Sequence, residues 1–134
     1  MPYETLEHTA DIGIKVSAET PEELFVDSAK GMFEIIADTR LIKPQEKIQI
    51  EREADGYAEL LVEWLRELLY QYSVTEIVFN EFSVLSLHPN FIKAIAWGDK
   101  AKSGIKAEIK AVTYHELEFK KTESGYEAKV IFDV

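Results

Sequence analysis

The residues of this chain that could do chemistry stand at its two ends. The final run, KVIFDV, alternates like a strand, and no polar tail follows it. If that strand is held in a sheet, the Asp133 side chain and the α-carboxylate of Val134 stand side by side. Near the start, H-T-A-D sets His8 and Asp11 between two further strand-like runs. Asp11, Asp133 and Val134 would then offer three hard oxygen groups to one place. Such groups suit a hard divalent cation such as Ca²⁺, Mg²⁺ or Mn²⁺. Each residue also has an ordinary reading. An Asp in a turn bonds its own backbone, a terminal acid faces solvent on a fraying end, and His8 sits satisfied at a sheet edge. Glu63, between Val62 and Trp64, and His115, in Y-H-E, are further candidates to support such a site from behind. For Glu63 the competing reading is an exposed helix edge near Arg66 or Glu67, and for His115 a hairpin cap.

Other chemistries find no support. Cysteine is absent, which removes disulfides, thiolate zinc sites and thiol nucleophiles. The three histidines lack H-x-x-x-H spacing, and there is no G-x-S-x-G elbow, P-loop or G-x-G-x-x-G. Twenty-five acids against 15 bases give a net charge of −10. This disfavours strong direct binding to nucleic acid and favours a basic partner or plain solubility. No run approaches a membrane span, and MPYETLEH has none of the character of a secretion signal, so a cytoplasmic protein is expected.

The elements that must position these residues follow from period and punctuation. At 134 residues with 46% hydrophobic content, the chain reads as one domain over 1–134 with a full core. Tyr3 to Glu7 and Ile12 to Ser17 alternate as strands. Thr20-Pro21-Glu22-Glu23 is a helix start, with Thr20 as N-cap, Pro21 at N1 and Glu23 closing a capping box. The apolar stripe Leu24, Phe25, Met32, Ile35, Ile36 carries that helix to about Asp38. Ile48 and Ile50 mark a strand. A second helix from about Tyr57 to Tyr72 shows a wide apolar face of Leu60, Leu61, Trp64, Leu65, Leu68 and Leu69. Period-two patterns then run from Ile77 to the end. His88-Pro89-Asn90 is a turn, Ile105-Ala107-Ile109-Ala111 reads as a strand, and Phe119 and Tyr126 flank a hairpin turned by Ser124-Gly125. The fold class expected is α+β: a largely antiparallel β-sheet packed against two amphipathic helices. The element order hints at two interleaved strand–helix–strand–strand units.

Four segments, EHTADIGI at 7–14, LLVEWLRELLY at 60–70, IKAVTYHE at 109–116 and VIFDV at 130–134, together resemble the archease family. They span the whole chain in family order, and HTADIG with an FDV-like finish is the specific part. The resemblance implies a small acidic α+β protein that activates an RtcB-type RNA ligase in tRNA splicing and RNA repair. It would promote guanylylation and multiple turnover of the ligase without joining RNA itself. It also implies a metal site, often assigned to calcium, built from Asp11, Asp133 and Val134, and leaves the role of His8 open. Three protein ligands fall short of the roughly 6–8 that Ca²⁺ takes, so water or a partner would complete the shell. Two rival readings stand beside this one. One is a chaperone-like modulator of RNA-processing proteins. The other is a metal-dependent hydrolase with His8 as base and Asp11 and Asp133 on the ion.

Overall fold

The computed structural model describes residues 2–7 and 11–134, so His8 lies outside the described residues. Among the described residues the order is β1 (Tyr3–Glu7), β2 (Asp11–Ala18), α1 (Pro21–Ile36), a short 3-10 turn (Thr39–Leu41), β3 (Glu46–Glu53), α2 (Tyr57–Thr75), β4 (Ile77–His88), β5 (Phe91–Lys100), β6 (Ala111–Thr122) and β7 (Gly125–Asp133). The strands form two antiparallel sheets, ordered β1-β2-β7-β6 and β3-β5-β4. The expected α+β class is therefore what is found.

The two sheets share one plan. In β2-α1-β6-β7 the first strand pairs with the last, which pairs with the second, and β3-α2-β4-β5 repeats this. The second unit is inserted between the helix and the second strand, β6, of the first, and β1 is an added edge. This nesting is the interleaving hinted at by the element order. It also explains how residues from opposite ends of the chain become neighbours, because β2 and β7 belong to the same unit.

The helices form where local chemistry directs them. The Thr20 side chain accepts from the Glu23 amide at 3.1 Å, with Pro21 in the first turn, so the expected N-terminus is present. α1 stops at Ile36, two residues before the expected Asp38. α2 runs three residues past Tyr72, to Thr75, where Glu76 takes a left-handed φ of 64° and its amide closes on the Tyr72 carbonyl. The two helices are tied by the buried Trp64, whose Nε1–H donates to the Phe25 carbonyl at 3.0 Å. Around them Leu24, Phe25, Phe33, Leu61, Leu65, Phe79 and Phe132 join one fully buried core.

Two expectations about the strands need correction. Ile105 to Lys110 does not form a strand, and Ala111 opens β6. Residues 101–110 run irregularly apart from one bridge, Ile105 to Ala37. Their backbone is tied elsewhere, with Lys106 N–H donating to the Ile36 carbonyl at 2.7 Å and Asp38 N–H to the Gly104 carbonyl at 2.8 Å. Ile105 is 53% exposed while Ile109 is buried, so the alternation there does not mark one buried face. The hairpin is as expected, but its turn residues are Glu123 and Ser124, and Gly125 opens β7.

Candidate functional site

Strand register decides the site. Asp11, the first residue of β2, is the direct partner of Asp133, the last residue of β7. On its other side Asp133 is the register partner of Ala111, and its carbonyl accepts from the Lys110 amide at 2.7 Å. Asp133 is thus the middle of three strand ends, with its backbone held in the sheet up to the last residue but one. The period-two pleat puts Ile14 and Val16 of β2, and Val130 and Phe132 of β7, in the core. Asp11 and Asp133 belong to the opposite face, away from α1.

Directly opposed residues of an antiparallel pair carry Cβ atoms about 4.5–5.5 Å apart, and like charges there repel. Elsewhere on this face charges are compensated. Lys15 and Lys120 lie 3.4 and 3.7 Å from Glu127, and Lys129 lies 3.7 Å from Glu116. Among the described residues neither Asp11 nor Asp133 has a Lys or Arg partner within ion-pair distance. One Asp11 oxygen, Oδ1, is also buried with no hydrogen-bond partner among the described residues. A buried carboxylate oxygen without a partner, on a residue paired in register with a second aspartate, fits a cation as the missing neighbour. Among the described residues no three His, Cys, Asp or Glu side chains converge on one point. A bound ion would therefore draw on the two aspartates, on oxygens of the backbone or of Val134, and on solvent or a partner. Val134 itself is 38% exposed.

The other candidates lie elsewhere. Glu63, on α2, is taken up by arginines: Arg52 at 3.2 Å and Arg66 at 3.8 Å, with the Tyr114 hydroxyl at 3.5 Å. Glu67 shares Arg52 at 3.6 Å. Arg66 in turn donates to the Val112 carbonyl at 3.0 Å and lies 4.6 Å from the Tyr114 ring centroid. This network clamps α2 onto β6, and no contact joins Glu63 to Asp11 or Asp133 among the described residues.

His115 is exposed on a wide bulge. Between Thr113, paired with Ile131, and Glu118, paired with Lys129, β6 advances five residues while β7 advances two. Glu116 adopts φ 51° within it, and His115 Nε2 lies 3.5 Å from a Glu116 oxygen. Thr113 stabilises the bulge, donating to the Ile131 carbonyl at 2.9 Å and accepting from the His115 amide at 3.2 Å. Bulges concentrate beside functional sites, and this one begins two register steps from Asp133. Sequence reasoning missed it, since Tyr114-His115-Glu116 reads equally as strand or turn.

The architecture and the opposed acids define a small α+β protein with a carboxylate pair where β2 meets the last strand, β7. The model of the Archease protein family matches residues 3–134, and the chain belongs to the archease family. It is 34% identical to protein archease of Methanopyrus kandleri over the full length of both chains. It is 42% identical to that of Methanosarcina barkeri, covering 98% of this chain and 95% of the other. The solution structure of protein 1598 of Methanobacterium thermoautotrophicum superposes with a TM-score of 0.84 at 29% identity, covering 99% of each chain. The crystal structure of a Thermotoga maritima archease, described as a possible chaperone, shares the fold with a TM-score of 0.67 at 24% identity, over 98% of this chain and 96% of that one. Among the described residues no helix is long and apolar enough to cross a membrane.

Proposed function

We propose that this chain is a non-enzymatic, metal-binding activator of an RtcB-type RNA ligase, acting in the cytoplasm in tRNA splicing and RNA repair. The observation that carries the reading is the direct pairing of Asp11 with Asp133, which concentrates negative charge that a cation would relieve. Asp11, Asp133 and the α-carboxylate of Val134 would hold the ion, Ca²⁺ first among the hard divalents. The ion would screen the acids and leave open coordination positions for a partner. The protein's own part is orientation. The sheet holds Asp133 by its backbone, so the acids stand at a fixed tip rather than on a loose tail. An activator of this kind must bind the guanylylation-competent ligase more tightly than the resting one.

The test is guanylylation of a matched ligase with and without this protein. Asp11→Ala and Asp133→Ala should each abolish stimulation while keeping the fold, and a few residues added beyond Val134 should do the same by displacing the carboxylate. Full stimulation by both alanine variants would refute the site. Turnover of phosphoesters by the isolated protein, lost in Asp11→Ala, would instead favour the hydrolase reading.

A further inference from the structure

Eight of the twelve lysines of this acidic protein stand in none of the ion pairs among the described residues, and four of those eight fall within Lys100–Lys110. Lys15, Lys93, Lys120 and Lys129, and all three of Arg40, Arg52 and Arg66, pair with carboxylates. The segment from Lys100 to Lys110, KAKSGIKAEIK, carries four lysines against one acid in a chain of net charge −10. Lys100, Lys102, Lys106 and Lys110 are all exposed and stand in none of the ion pairs among the described residues. Together with the Arg40 side chain that bonds it, Lys106 stands near enough to the Asp38 carboxylate to help hold its pKa down, and Lys100, Lys102 and Lys110 are the more open charges of the run.

The run is also anchored. The irregular backbone is pinned by Lys106 N–H to the Ile36 carbonyl, by the Gly104 carbonyl to Asp38 N–H, by buried Ile109, and by Lys110 N–H to the Asp133 carbonyl. At one end Lys43, Lys100 and Lys102 line a cleft of about 260 Å³. Its one carboxylate, Asp99, already accepts from the Lys100 amide. At the other end Lys110 borders an open groove of about 780 Å³ with Arg66, Tyr70, Tyr72 and one carboxylate, Glu108. Tyr70 is 59% exposed.

A line of cations leading to an exposed tyrosine, Tyr70, offers what a single strand of nucleic acid requires: charge along the backbone and a surface on which a base stacks. We propose that Lys100 to Lys110, with Lys43 and Tyr70, form a weak track for single-stranded RNA. A linear ligand is favoured over a lone anion because the lysines are strung along the segment rather than gathered round one point. The net negative charge keeps binding weak and local, which agrees with the absence of a strong nucleic-acid signature in the composition. The track does not depend on the cation site.

The experiment is fluorescence anisotropy of a labelled oligouridylate with the full chain, at low salt, in chelator and without ligase. Wild type should bind with affinity that falls as salt rises. Removing three lysine contacts, as in the combined Lys102→Ala, Lys106→Ala, Lys110→Ala variant, should flatten the slope of log affinity on log salt by about 2, at about 0.7 per phosphate contact. Tyr70→Ala should weaken binding without changing the slope. Asp11→Asn should bind as well as wild type, which separates this track from the acidic tip. No binding at low salt, an unchanged slope in the triple variant, or equal competition by inorganic phosphate at matched phosphate concentration would each overturn the proposal.

Discussion

Asp133→Asn isolates the charge conflict at the strand ends. The substitution keeps the side-chain shape and removes one of two like charges directly opposed across β2 and β7. At a spacing of about 5 Å the repulsion is about 0.8 kcal/mol in a water-like medium and about 3 kcal/mol at an effective dielectric of about 20. Asp133 is exposed and Asp11 only half-buried, so the lower figure governs and ~1 kcal/mol is expected. For 134 residues the unfolding entropy is about 280 cal/mol/K, so Tm should rise by about 3–4 °C in chelator. With Ca²⁺ at about 100 times its Kd, wild type gains ~2.7 kcal/mol, or about 10 °C. The variant, short of a ligand, gains little. The order of stability therefore reverses, with wild type about 6 °C higher in calcium. Scanning calorimetry in EDTA and across a Ca²⁺ titration reads both signs. If the variant is no more stable in EDTA, or calcium raises both proteins equally, the reasoning from register to cation is wrong.

Three further outcomes rest on the core, a strand pair and a half-buried acid. Trp64→Phe removes the only side-chain donor to the Phe25 carbonyl among the described hydrogen bonds and leaves a gap in the core. It should cost about 2–4 kcal/mol by urea denaturation with little change in slope. Gly98→Ala would drive a methyl into the Val78 carbonyl oxygen, a backbone atom of the paired strand, so β4 and β5 must part, at a cost of about 3 kcal/mol or more in the same assay. Burial raises the Asp27 carboxyl above its ordinary 3.8, against the opposing pull of Lys30. Its native state therefore holds a proton more tightly than the unfolded chain, and that stabilisation, present at low pH, is lost as pH rises through the raised value. Asp27→Asn should accordingly raise Tm at about pH 7 and leave it nearly unchanged below about pH 3.5; a uniform shift at both pH values would refute this.

Local chemistry was readable wherever neighbours in sequence make the decision. Thr20, Pro21 and Glu23 start α1, and the Leu60-to-Leu69 face defines α2, because capping and helical periodicity act within a few residues. The period-two run into Phe132 shows which side of β7 is apolar. It also shows that Asp133 belongs to the other side. Residues 101–110 misled for a matching reason. Their alternation is real, but whether an alternating run becomes a strand depends on a partner edge. Here Lys106 N–H goes to the Ile36 carbonyl and the Gly104 carbonyl to Asp38 N–H, and among the described residues only Lys110 N–H, at the segment's end, reaches a neighbouring strand, at the Asp133 carbonyl. The β6 bulge is likewise a property of two strands of unequal advance, which neither strand shows alone.

The sequence by itself determined the family, the two helices, the apolar faces and the presence of acids at both ends. Only the tertiary structure decided that Asp11 stands opposite Asp133, that Glu63 is bound up with arginines, and that the lysines of 100–110 lie along an anchored segment. The physical reason is that pairing register is set by packing between distant segments. A slip of one residue in β2 against β7 would turn Asp11 to the other face.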